Sequence, residues 1–158
     1  MLQEQLDALG PESADVLPGP LHRPGQPCLR CHAPTGPASP FTVAGTVFQK
    51  PESDLRVGGV EVRLIDAAHR THLAYTNCAG NFFVSPQEFE PVLPLWVSLN
   101  EPRQGLHSDM ESAMNKDGDC GACHQGKKSP SSAGQVFLTE DPAVPDPAAS
   151  GPCGGSKP

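Results

Sequence analysis

The feature that most constrains this chain is a pentad that occurs twice. Cys28-Leu29-Arg30-Cys31-His32 and Cys120-Gly121-Ala122-Cys123-His124 both read Cys-x-x-Cys-His, and together they use four of the six cysteines. Two thiols three residues apart can form thioethers with the two vinyl groups on one edge of a porphyrin. The next residue then lies under the iron, where its imidazole serves as the proximal axial ligand. Two matches, each completed by His, predict two covalently bound haem c groups. Cys28, Cys31, Cys120 and Cys123 would hold them, with His32 and His124 on the irons. Three blander uses of the same residues fare less well. A zinc site made of two Cys-x-x-Cys pairs spaces them by about 15–20 residues. Here residues 32–119 intervene, and four thiolates would leave both His without a role. A thioredoxin-type pair wants a strand-to-helix context, but Cys28 comes after a Pro-rich arm. A plain disulfide framework is a use that small secreted domains do make of cysteine.

The composition calls for such a staple. A chain of 158 residues has room for one domain of ordinary size, or a small domain with long arms. Its 19 Pro and 16 Gly interrupt almost every window long enough for a helix. Only 37% of residues are apolar, and a core that small usually needs a covalent or metal anchor. The net charge of −7 argues against a nucleic-acid partner, which would need a basic patch. No run approaches the ~18 apolar residues of a transmembrane segment.

The chain divides into four regions. Residues 1–40 form a Pro-rich arm that carries the first haem motif; Leu2, Leu6 and Leu9 share a face and predict a turn or two of helix before Pro11. Residues 41–99 read as a β-sandwich of about five short strands. Phe41–Phe48 and Val60–Leu64 alternate in period two, residues 66–69 turn into a strand over 71–76, and Asn81–Val84 and Leu95–Leu99 complete the set. Residues 100–139 carry the second haem motif, preceded by a short helix predicted over Leu106–Met114. Residues 140–158 hold five Pro and no apolar period, and read as a flexible tail.

The order Pro24-Gly25-x-x-Cys28-x-x-Cys31-His32, Phe41-Thr-x-Ala-Gly-Thr-Val, Thr76-Asn-x-x-Gly80-Asn-Phe82 and Gly118-Asp-Cys120-x-x-Cys123-His124 resembles a group of secreted bacterial dihaem c-type cytochromes. In that group a small transthyretin-like, or carboxypeptidase-regulatory-like, β-sandwich sits between the two attachment sites. The likeness covers roughly residues 20–138. It implies a mainly β fold flanked by irregular, Pro-rich haem-binding segments with short helices. A Met commonly precedes the first Pro-Gly in the group, where this chain has His22. A second Met commonly lies nine or ten residues before the second attachment Cys, where Met110 stands. Relatives often carry a Cys after the first strand; this chain has Glu52-Ser-Asp-Leu there.

The distal candidates are His22, His69, His72, His107, Met110 and Met114. The family positions favour Met110 and His22, with His107 in reserve. His69 falls in a turn and His72 on an exposed strand face, both more often solvated than ligating. Met110 and Met114, four apart, also fit the packing face of a helix. Cys78 and Cys153 remain: a disulfide between them would tie the tail to the sandwich, and Cys153 could instead pair with another chain or stay reduced.

The function expected is single-electron carriage in an extracytoplasmic chain, toward redox partner proteins or a larger membrane or extracellular complex. A six-coordinate iron suits that role, while an open position would suit a dihaem peroxidase-like enzyme. No acid–base constellation points to catalysis, and a third reading makes the haems staples of a structural module. Thioether attachment happens outside the inner membrane, so a periplasmic or extracellular location is implied. Met1–Leu6 has neither the basic nor the apolar region of a signal peptide.

Overall fold

The computed structural model describes residues 2–12 and 19–147. Its organising element is β1, Val43–Phe48, all six residues of which are buried. One edge of β1 pairs antiparallel with β4, Asn81–Val84. The other edge takes two short parallel partners in succession. β7, Gly118–Asp119, lies against Val43 and Ala44, and β8, Val136–Phe137, lies against Val47 and Phe48. The second sheet is antiparallel throughout, in the order β3-β2-β5-β6. Its members are β2, Glu61–Asp66, β3, Thr71–Tyr75, β5, Leu95–Glu101, and β6, Leu106–Asp109.

The period-two pattern explains which sides meet. Val62, Leu64 and Asp66 of β2 are fully buried while Arg63 is exposed and Glu61 and Ile65 are half-buried, as a strand with one covered face requires. Leu64, Leu95, Val43, Val47 and Val84 are completely excluded from solvent and form the centre of the core between the sheets. The protein is therefore mainly β with short helices. No helix among the described residues is long and apolar enough to cross a membrane.

Two buried carboxylates close the ends of the second sheet. Asp66 accepts from the backbone N–H of Ala68, Arg70 and Val92, and from the Arg70 guanidinium at 2.6 and 2.9 Å. Burial pushes this carboxyl up, but the Val92 and Arg70 amides and the Arg70 guanidinium outweigh it and bring it down to about 2. Glu101 accepts from Arg103 Nε at 2.6 Å and from the Gln104 amide at 2.9 Å.

The segment after residue 100 differs from expectation. Leu106–Asp109 is strand, paired with β5 from Glu101↔Leu106 to Ser98↔Asp109, not part of a helix. Gly105, at φ +66, reverses the chain, and the open edge of β5 captures the returning segment. His, Ser and Asp are weak helix formers, so ladder hydrogen bonds decide. Further on, Met114 exchanges two backbone hydrogen bonds with Leu95, at 2.8 and 2.9 Å, and packs on the core. The strands β6, β7 and β8 thus carry the sheets well beyond residue 99. In the arm, α1 spans Leu2–Ala8. Arg23 Nη1 donates to the Gly10 carbonyl and Gln26 Nε2 to that of Leu9, both at 2.9 Å, tying this end to the first cysteine motif.

Candidate haem-attachment site

Each pentad forms a single helical turn. In the first, α2 spans Leu29–His32, Cys28 already has helical dihedrals, and the His32 amide donates to the Cys28 carbonyl at 3.1 Å. In the second, α3 spans Cys120–Cys123, and the His124 amide donates to the Cys120 carbonyl at 2.9 Å. Positions i, i+3 and i+4 of such a turn lie on one face, so both thiols and the imidazole of each pentad are presented together.

The imidazoles are held alike. His32 Nδ1 lies 2.7 Å from the Ser39 carbonyl oxygen, and His124 Nδ1 lies 2.9 Å from that of Gly134. A carbonyl can only accept, so each Nδ1 carries a proton, and in the neutral ring Nε2 keeps its lone pair free for a metal. This is the outer contact that orients metal-binding histidines generally. Among the other described histidines, only His22 repeats it, with its Nδ1 on the Gly19 carbonyl. His107 instead engages Asp109 Oδ1 through Nε2, at 3.0 Å, and sits in β6 rather than in the helix expected over Leu106–Met114. His72 stacks on Phe89, with centroids 5.2 Å apart. His69 occupies the β2–β3 turn at φ +60.

Although residues 32–119 separate them, the two pentads are neighbours. Pairing of β7 with β1 delivers α3 onto the sheet, where Gly45 makes room for it: a Cβ there would lie 2.8 Å from that of Cys120. A Cβ on Gly121 would lie 2.5 Å from the Gln26 carbonyl oxygen and 2.9 Å from Pro27 Cα, directly before Cys28. Asp119, 6% exposed, stands at this junction. The amides of Cys28 and Leu29 and the charge of Arg30 favour its ionised form. Burial and the nearby Asp117 outweigh them and raise it to about 6. Its Oδ1 is buried without a hydrogen-bond partner. Burial likewise pushes the Cys28 and Cys120 thiols up to about 12, with the Asp119 charge adding to both. Cys31 is half-buried and Cys123 exposed.

Around His32 the aromatic side chains line up. Its ring stacks on Phe41, with centroids 4.1 Å apart and planes 10° from parallel, and Phe41 stacks on Phe83 at 4.8 Å. His22 lies on the same cluster, 5.9 Å from His32 between centroids. The structure thus brings His22 and His32 together. Met110 directly follows β6 of the second sheet, its amide bonded to the Val97 carbonyl at 3.0 Å, whereas α3 stands on β1 of the first. The pentads were legible in the sequence; Phe41, Gly45 and Asp119 stood in the resemblance motifs and Gly121 in the second pentad, but none was given a role at the site.

The donor set suits a haem: two thiols and an Nε2 lone pair on one face of each turn. A porphyrin brings its own equatorial nitrogens and asks the protein only for axial ligands. Cys78 is disulfide-bonded, and Cys153 lies outside the described residues. Compared with known protein families, curated proteins and solved structures, the chain matches none.

Proposed function

We propose that this chain is a dihaem c-type cytochrome that carries single electrons in an extracytoplasmic chain or complex. Cys28 and Cys31 attach one haem and Cys120 and Cys123 the other, with His32 and His124 as proximal ligands. The observation that carries the reading is the shared geometry of the two pentads: the same helical turn, with the same Nδ1-to-carbonyl anchor on each imidazole. A disulfide framework or a thiol redox pair has no use for that anchor. The two-sheet body fits a transthyretin-like sandwich acting as a rigid mount.

Bound haem would supply a one-electron couple at each site. The chain's own residues do the rest. Ser39 and Gly134 fix the tautomer and lend the imidazoles basicity through their hydrogen bonds. Gly45 and Gly121 let the two turns approach, so that β1 sets their separation. The net charge of −7 steers a basic partner surface toward the protein, at a rate that falls with salt.

Maturation in a host equipped for c-type haem attachment tests the reading. The intact mass should exceed that of the bare chain by two haems. The double substitutions Cys28→Ser/Cys31→Ser and Cys120→Ser/Cys123→Ser should each remove one. A wild-type mass equal to the bare chain, with no Soret absorption, would refute it.

A further inference from the structure

The loops that follow the two pentads are built to one plan. In the first, the Ala38 amide donates to the Cys31 carbonyl at 3.2 Å, and the next carbonyl, that of Ser39, accepts from His32 Nδ1 at 2.7 Å. In the second, the Ala133 amide donates to the Cys123 carbonyl at 2.8 Å, and the next carbonyl, that of Gly134, accepts from His124 Nδ1 at 2.9 Å. Two residues past the anchor the plans part: Phe41 stands in the first loop and Val136 in the second. The Phe41 ring lies flat on His32, with centroids 4.1 Å apart and planes 10° from parallel, and Phe83 backs it at 4.8 Å. A valine has no flat face to offer, and among the described residues no ring stacks on His124. Phe41 is itself held fast. Its amide donates to the His32 carbonyl at 2.8 Å, and the next residue, Thr42, donates its amide to Val84 at 2.8 Å and its hydroxyl to the Phe89 carbonyl at 2.6 Å. A single hydrogen bond holds a ring at one atom and leaves it free to swing about that contact. A flat ring against its face removes the swing.

We infer that Phe41 is a positioning residue for the first haem: it fixes the rotation of the His32 imidazole over the porphyrin, which Val136 does not do for His124. The inference rests on the dihaem reading. Phe41 touches no iron in this role and acts through His32 alone. The two haems are then inequivalent through one side chain per loop. The first iron keeps one orientation of its proximal ligand, while the ligand of the second is held by its carbonyl anchor only.

The matured dihaem protein tests this with Phe41→Leu and Phe41→Tyr, read by mass, far-ultraviolet circular dichroism and electron paramagnetic resonance of the ferric form. The ferric signals depend on how the axial ligand planes are turned. Both variants should keep two haems, because neither removes a thioether or an axial ligand. Phe41→Leu keeps the apolar bulk but loses the flat face, and should shift and broaden one of the two signals, leaving the other in place. Phe41→Tyr keeps the face and should leave both as they are. If Phe41→Leu does not fold, the reduced, diamagnetic wild type decides instead: nuclear Overhauser contacts should join the His32 and Phe41 rings, and their absence would overturn the assignment. A folded Phe41→Leu protein with two haems and both signals unchanged would overturn it too, with the dihaem reading intact. A wild-type protein without haem would end both.

Discussion

Asp119→Asn is the substitution whose outcome the structure fixes best. The side chain is 6% exposed, has one oxygen without a partner, and carries a pKa raised to about 6 from an ordinary value of 3.8. Burial is the main cause, with Asp117 adding to it, while the Cys28 and Leu29 amides and Arg30 oppose the shift. Between those two pH values the folded state holds a proton that the unfolded chain has released. Stability therefore falls as pH rises through this window, and above it the full cost is present. A shift of about two units at 1.36 kcal/mol each makes that cost roughly 3 kcal/mol. An amide at the same place keeps an acceptor for the Cys28 and Leu29 N–H groups and loses the charge. Urea unfolding of the matured protein, followed by far-ultraviolet circular dichroism from pH 4 to pH 7, measures the difference. Wild type should lose up to about 3 kcal/mol more than Asp119→Asn across the range. Parallel pH profiles for the two proteins would refute the argument, because every other titrating group is common to both.

Asp66 acts in the opposite direction and in a lower window. Its folded pKa of about 2 lies below the ordinary value of 3.8, so it stabilises above that value and the benefit is lost as pH falls through about 2. Asp66→Asn should move the acid-unfolding midpoint upward, as seen by circular dichroism. Gly121→Ala forces a methyl group against the Gln26 carbonyl and should cost about 1–3 kcal/mol in urea unfolding, whereas Ala122→Gly next to it should cost no more than about 1 kcal/mol, the ordinary helix penalty of glycine. Leu64→Ala, at a fully buried site, should cost about 2–5 kcal/mol by the same assay.

Where one face of a strand is buried, the fold could be read from residue order alone. Val62, Leu64 and Asp66 alternate with Glu61, Arg63 and Ile65, and Asn81–Val84 forms a strand over the very span expected. The reading failed where pairing rather than pattern decides. Leu-His-Ser-Asp carries no strand signal of its own, yet the free edge of β5 makes it β6. Gly118–Asp119 is two residues long and acquires meaning only beside Val43 and Ala44. The site divides in the same way. The pentads announce themselves by spacing, which is local chemistry. Their adjacency depends on parallel pairing between residues far apart in the chain, and on the absence of side chains at Gly45 and Gly121, neither of which a linear reading contains.

The burial of Cys120 also bears on how such a protein must be made. Cys120 is only 8% exposed, and a thiol that burial pushes up to about 12 is a poor nucleophile, so the finished fold would resist thioether formation at that sulfur. One long edge of β1 stays bare on the growing polypeptide until residues 118–137 emerge to cover it. For the proposed role, the porphyrin would be joined before residues 118–137 settle against β1 and cover the bond.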